Sequence, residues 1–121
     1  MIPKNYMLPI CQKIYKFSHK AIENIEYVQS QVAEFFGITV DELIGKCRRT
    51  EFMMPRHTSI ALCDALLPHS MVFIAKNHGG RDHATGIHSV KVAEDIAFTN
   101  PIYRRQFTEL RRNLEAHYGI N

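Results

Sequence analysis

The sequence predicts an all-α domain, on two observations. Helix-forming residues dominate, and the two-residue alternation of half-buried strands is rare. Apolar residues recur instead at spacings of three and four, in segments bounded by helix start and stop residues. A chain of 121 residues, 45% hydrophobic and 22% charged, suits one domain with a modest core.

The elements follow in order. Residues 1–21 form a basic extension, in which Ile10, Ile14 and Phe17 fall at helical spacing after Pro9. The segment "IENIEYVQSQVAEFF", residues 22–36, predicts an amphipathic helix with Ile22, Ile25, Val28, Val32 and Phe35 or Phe36 in one stripe. Gly37 suits its end. Thr39 can cap a short helix whose first turn carries Asp41 and Glu42, and which stops near Gly45.

The following "KCRRTEFMM" lacks periodicity and reads as a basic loop, with Pro55 in the first turn of the next helix. That helix is expected to bury Ile60, Cys63 or Leu62, and Leu66 or Leu67 on one face, and Pro68 ends it. Ser70 caps a short helix in "MVFIAKNH", and Gly79 and Gly80 end it, one of them left-handed. Asp82 caps a helix over roughly 83–97. Ile87, Val90 and Ala97 are expected inside and His83, Thr85, His88 and Lys91 outside. A last helix follows Asn100 and Pro101, with Ile102, Phe107, Leu110 and Leu114 inward and Arg104, Arg105, Arg111 and Arg112 outward. The organisation is thus an extension over 1–21, a domain over 22–97 and a C-terminal helix over 98–121.

The formal net charge is +3, but its distribution says more. Lys4, Lys13, Lys16 and Lys20 occur in a stretch with no acid, and Lys46, Arg48, Arg49 and Arg56 face only Glu51 nearby. Such patches attract polyanions, although two solvated basic faces would look the same. Three widely spaced cysteines, Cys11, Cys47 and Cys63, make no disulfide framework, and Cys11 and Cys63 read as small core residues. With no signal peptide or spanning segment visible, a reducing cytoplasm is the expected setting.

"HGGRDHATGIH", residues 78–88, carries the chemistry. A zinc site would need ligands that converge, but His78, His83 and His88 recur every five residues, a net rotation of about 140° on a helix. A nucleotide loop would need GxxxxGK[ST] in a βαβ setting, which is absent. Asp82 beside His83 is better explained as a cap than as an acid–base pair, and no GxSxG occurs, so catalysis is not expected. A short helix, a glycine turn and a second helix opening with polar residues match a helix-turn-helix that reads the major groove. A helical bundle with a solvated helix start would share that pattern.

These residues resemble a known family. "HGGRDHATGIHS" is similar to the signature of the C-terminal DNA-binding domain of DnaA, the bacterial replication initiator. "IENIEYVQSQVAEFFGITVDELIGKCRR" resembles that domain's opening helices, and "MPRHTSIALCDAL" the helix after its basic loop. The resemblance covers roughly residues 22–97. It implies a Trp-repressor-like helix-turn-helix that binds a nine-base-pair box in double-stranded DNA; no cofactor, metal or membrane contact is expected. By the resemblance, Arg48 matches the arginine that enters the minor groove, and Arg56 and His57 the polar start of the next helix. Met71 and Val72 stand at a Leu-Pro pair that faces the DNA backbone. Asp82 and His83 match base readers, and Thr85 and Lys91 match residues along the recognition helix. Arg81, Ala84 and His88 complete the expected DNA-binding set.

The chain departs from the family pattern at several positions. Ala84 replaces a threonine, Asp64 and Met54 stand where basic residues are common, Gly86 replaces an aliphatic residue, and His78 replaces a phenylalanine. No P-loop accompanies the domain here, so a stand-alone protein without a nucleotide switch is expected. Its expected role is regulation of replication or transcription at initiator-like boxes on the nucleoid. The alternative is a module that contacts replication proteins, with weakened DNA reading.

Overall fold

The computed structural model describes residues 21–118, which form six helices and no strand. The helix expected over residues 6–20, with Cys11, lies outside the described residues. In chain order the helices are α1 (Ala21–Phe36), α2 (Val40–Ile44), α3 (Thr50–Leu66), α4 (Met71–Lys76), α5 (His83–Thr99) and α6 (Pro101–His117).

Most helix ends follow from local chemistry. In α1 the stripe Ile25, Val28 and Val32 is fully buried, and Gly37, at φ 72°, ends the helix in the left-handed region. Thr39 and Glu42 make a reciprocal capping box on α2: the Thr39 hydroxyl accepts from the Glu42 amide at 3.1 Å, and the Glu42 carboxylate from the Thr39 amide at 2.9 Å. Ser70 caps α4, Asp82 caps α5, and Asn100 caps α6 ahead of Pro101.

α3 begins five residues before its proline, at Thr50, which corrects the expected loop over 46–54. Arg49 is extended, and its carbonyl accepts from the amides of Phe52 and Met53, both at 2.9 Å. Pro55 therefore sits inside the helix. The carbonyl it leaves without an intrahelical donor is that of Glu51, an exposed residue, so water can serve it and the usual penalty is reduced. The basic loop shrinks to residues 45–49.

α3 is the central helix. Residues 55–63 of it, with Ala65 and Leu66, are buried without a break, so it has no single apolar face. Its polar residues are buried with partners. Thr58 donates to the Met54 carbonyl at 2.7 Å and receives the Tyr103 hydroxyl of α6 at 2.5 Å, while His57 Nδ1 lies 2.9 Å from the Ser89 hydroxyl of α5. α6 joins the same core through Tyr103, Phe107, Leu110 and Leu114. Against α1, His117 stacks on Tyr27 at 3.9 Å.

Three expected orientations are corrected. Ile87 is 50% exposed and Ile102 62% exposed, although both were expected inside. The inner stripe of α5 consists of Gly86, Ser89, Ala93 and Ala97, at helical spacing, and small side chains there let the neighbouring helices approach closely. Ile102 lies in the first turn of α6, beside the cap and before the buried stripe begins at Tyr103. Arg111, expected outside, is buried and pairs with Glu115 one turn on at 3.1 Å.

Candidate nucleic-acid interface

α4, the turn over residues 77–82 and α5 make up a helix-turn-helix. Gly79 (φ 78°) and Gly80 (φ 74°) are both left-handed, so the chain reverses within two residues after α4. The amides of Gly80 and Arg81 reach back to the carbonyls of Lys76 and Ala75 at 2.9 and 3.1 Å and close the helix. Asp82 then accepts from the Thr85 amide at 2.8 Å and starts α5. That bond holds the Asp82 carboxyl below its ordinary range, so it stays ionised at neutral pH.

The turn is locked from beneath. His78 is fully buried: its Nδ1 donates to the Ile74 carbonyl at 2.9 Å, and its Nε2 lies 2.8 Å from the Ser59 hydroxyl of α3. The carbonyl leaves Nδ1 as the donor, so Nε2 accepts from Ser59. Burial pushes the His78 pKa down to about 4, and the nearby Arg81 and Arg56 push the same way. Gln29 of α1 donates to the Asn77 carbonyl at 2.7 Å. Gly86 explains how α4 packs on α5, because a Cβ there would meet Met71 Sδ at 2.4 Å and the Ala75 methyl at 3.2 Å.

This framework presents one end of α5 to solvent. Asp82, His83, Ala84, Thr85, His88 and Lys91 are all exposed, as is Val72 at the start of α4, while Met71 is half-buried against Gly86. Arg48 is exposed on the basic loop. A cleft of about 500 Å³ joins the two regions, with Lys46 and Arg48 on the loop side and Thr85 and His88 on the α5 side.

Three expected contact residues are placed differently. Arg56 is only 4% exposed: its Nε donates to the Leu43 carbonyl at 2.6 Å, and its Nη atoms to the carbonyls of Cys47 and Glu42 at 3.0 and 3.2 Å. His57 is buried on Ser89, and burial pushes its pKa down to about 4, helped by His88, Arg56 and Arg81. Arg81 is half-buried, and its Nη atoms donate to the carbonyls of Ile44, His78 and Gly45 at 2.8, 2.5 and 2.5 Å. The resemblance set these three among the DNA-binding residues, and the sequence does not reveal which carbonyls and hydroxyls lie within their reach. It also missed Ser59, Ser89 and Gln29, whose partners are distant in sequence.

Comparison with known proteins agrees with this architecture. The family described as bacterial dnaA protein helix-turn-helix matches residues 25–92, which run from α1 into α5. The chain is 35% identical over 105 residues to the chromosomal replication initiator protein DnaA of Ehrlichia ruminantium, covering 87% of this chain and 22% of that one. Against the protein of the same name from Ruegeria pomeroyi it is 34% identical over 92 residues, 76% of this chain and 20% of that one. Against that of Wolbachia pipientis it is 31% identical over 99 residues, 82% and 21%. The chain thus spans about a fifth of the length of these relatives. It belongs to the bacterial DnaA protein helix-turn-helix family.

Proposed function

We propose that the domain binds duplex DNA with sequence preference, α5 entering the major groove while Arg48 reaches into the adjacent minor groove. The observation that carries this reading is the shared cleft: Lys46 and Arg48 of the loop and Thr85 and His88 of α5 border one opening. An α-helix end fits a major groove, and a flexible arginine beside it fits a narrow minor groove.

The roles follow from side-chain chemistry. One Asp82 oxygen accepts from the Thr85 amide at the start of α5, and the exposed carboxylate suits a cytosine amino group as a further donor. His83 and the Ala84 methyl suit a base edge and a thymine methyl. Thr85, His88 and Lys91 suit phosphates, as does Lys46, and the N-terminus of α5 favours an anion. Met71 and Val72 bring α4 to the sugar–phosphate backbone. The replication initiator relatives suggest sites of DnaA-box type, and regulation of replication or transcription there is the role we assign.

Fluorescence anisotropy with a box-containing duplex and a scrambled control tests the reading. The expected result is tighter, salt-sensitive binding to the box, reduced by His83→Ala. Equal binding to the two duplexes would remove sequence recognition.

A further inference from the structure

Arg56 and Arg81 come from different parts of the chain, α3 and the glycine turn, yet converge on one row of carbonyls. Arg56 takes those of Glu42, Leu43 and Cys47, and Arg81 those of Ile44 and Gly45, together with His78 in its own turn. These carbonyls form the C-terminal end of α2 and the start of the basic loop. A five-residue helix satisfies few of its own carbonyls, and its C-terminus is the negative end of the helix dipole. Two guanidiniums answer both needs.

A second, independent observation places the turn against the same row. A Cβ on Gly79 would lie 2.1 Å from the Ile44 carbonyl oxygen and 2.6 Å from Arg81 Nη1. The backbone of the helix-turn-helix therefore rests directly on the end of α2, with the Arg81 side chain alongside. The loop that carries Arg48 leaves from this junction, and α5 starts four residues beyond Gly79 in the other direction.

We infer that Arg56 and Arg81 are positioning residues. They hold the end of α2 against the glycine turn and so fix the offset between the Lys46–Arg49 loop and the leading end of α5; both line the cleft, but their guanidiniums are committed to carbonyls rather than offered to DNA. This deepens the DNA-binding reading and rests on it. Minor-groove and major-groove contacts become parts of one rigid ruler, and the clamp sets the number of base pairs between them.

The test exploits the difference between lysine and arginine. A lysine keeps a phosphate contact as a point charge but cannot reproduce a fork that holds two carbonyls. Arg81→Lys and Arg56→Lys, with Arg48→Ala and the Arg48→Ala/Arg81→Lys double variant, are titrated against a preferred duplex and a scrambled one. Arg81→Lys is expected to lose roughly tenfold or more on the preferred duplex and little on the scrambled one, as expected when a groove-reading contact is lost. The double variant should be no weaker than the more affected single variant, because the clamp acts through Arg48. Unchanged affinity in Arg81→Lys, or additive losses in the double variant, overturns the proposal.

Amide exchange of the free protein gives a readout without DNA. The amides of Leu43 and Gly80, bonded to the Thr39 and Lys76 carbonyls on the two sides of the clamp, should exchange faster in Arg81→Lys while α1 and α6 are unchanged, and unaltered exchange at both overturns the clamp. If the lysine variants do not fold, guanidinium NMR of the wild type decides. Slowly exchanging Nη protons, unshifted when duplex is added, support the clamp; a duplex-induced shift of the Arg56 or Arg81 signals overturns it. Should the wild type show no preference between duplexes, the DNA-reading proposal fails, while amide exchange still reports on the clamp.

Discussion

Replacing His78 by phenylalanine, the residue the resemblance leads one to expect there, should flatten the acid dependence of stability. The native imidazole is fully buried, donates to the Ile74 carbonyl and accepts from Ser59, so protonating it would place a charge in the core beside Arg81 and Arg56. Its pKa is about 4 in the fold against 6.5 in the unfolded chain. Because the folded value is the depressed one, the unfolded chain binds the proton first as pH falls. Stability is complete above about pH 6.5 and is lost progressively down to about pH 4. The gap corresponds to about 3 kcal/mol at the acid limit, and to about 2 kcal/mol between pH 7 and pH 5. His57, also held near 4, acts in the same direction, so the wild type should take up close to two protons on unfolding in this window.

Urea unfolding at pH 7 and pH 5 measures the effect. The His78→Phe variant should lose about 2 kcal/mol less than the wild type between the two pH values, with the His57 contribution remaining. At pH 7 the variant leaves the Ser59 hydroxyl without its ring partner, a cost of about 1–3 kcal/mol that Ser59→Ala should largely return in the double variant. A His78→Phe variant that kept the full wild-type acid sensitivity would refute the buried-imidazole account.

Further predictions concern the packing and the grooves. Gly86→Ala should destabilise the domain in thermal melts even though alanine gains about 1 kcal/mol of helix propensity, because its methyl would collide with Met71; adding Met71→Ala should recover part of the loss. Gly79→Ala should be more damaging, since it combines a left-handed φ with a collision against the Ile44 carbonyl, and circular dichroism should show loss of cooperative folding. Tyr103→Phe removes the hydroxyl that reaches Thr58 and should cost about 1 kcal/mol in urea unfolding without changing DNA affinity. Arg48→Ala should weaken binding to the preferred duplex by about 1–3 kcal/mol and lower the slope of affinity against salt by about one.

Helix ends were legible from the sequence because capping is local. Thr39, Ser70 and Asp82, the three expected caps, each accept from the amide three residues on, and Asn100, after which the last helix was expected, caps α6. The glycine turn was legible for the same reason, although both glycines are left-handed where one was expected. The start of α3 was missed because Pro55 looks like a first-turn residue, whereas its missing amide is tolerated beside the exposed Glu51. The inner stripe of α5 was missed because hydrophobic periodicity favours Ile87 and Val90 over Gly86, Ser89 and Ala93, and close helix packing favours the reverse. Within the site, exposure of the leading end of α5 followed from its polar residues. The burial of Arg56, His57 and Arg81 did not, since it depends on carbonyls and hydroxyls brought near only by the tertiary fold. The departure at His78 is explained by Ser59, whose hydroxyl lies opposite its Nε2 and is 19 residues away in sequence.

In the proposed function, α5 and the basic loop together read a DNA sequence. Selection of bound duplexes from a random pool tests it most directly. The expected outcome is enrichment of one short motif, with the bases facing Asp82, His83 and Ala84 at a fixed distance from those facing Arg48, and loss of that enrichment in His83→Ala. A pool that emerges without a shared motif, or the same motif recovered with His83→Ala, would contradict it.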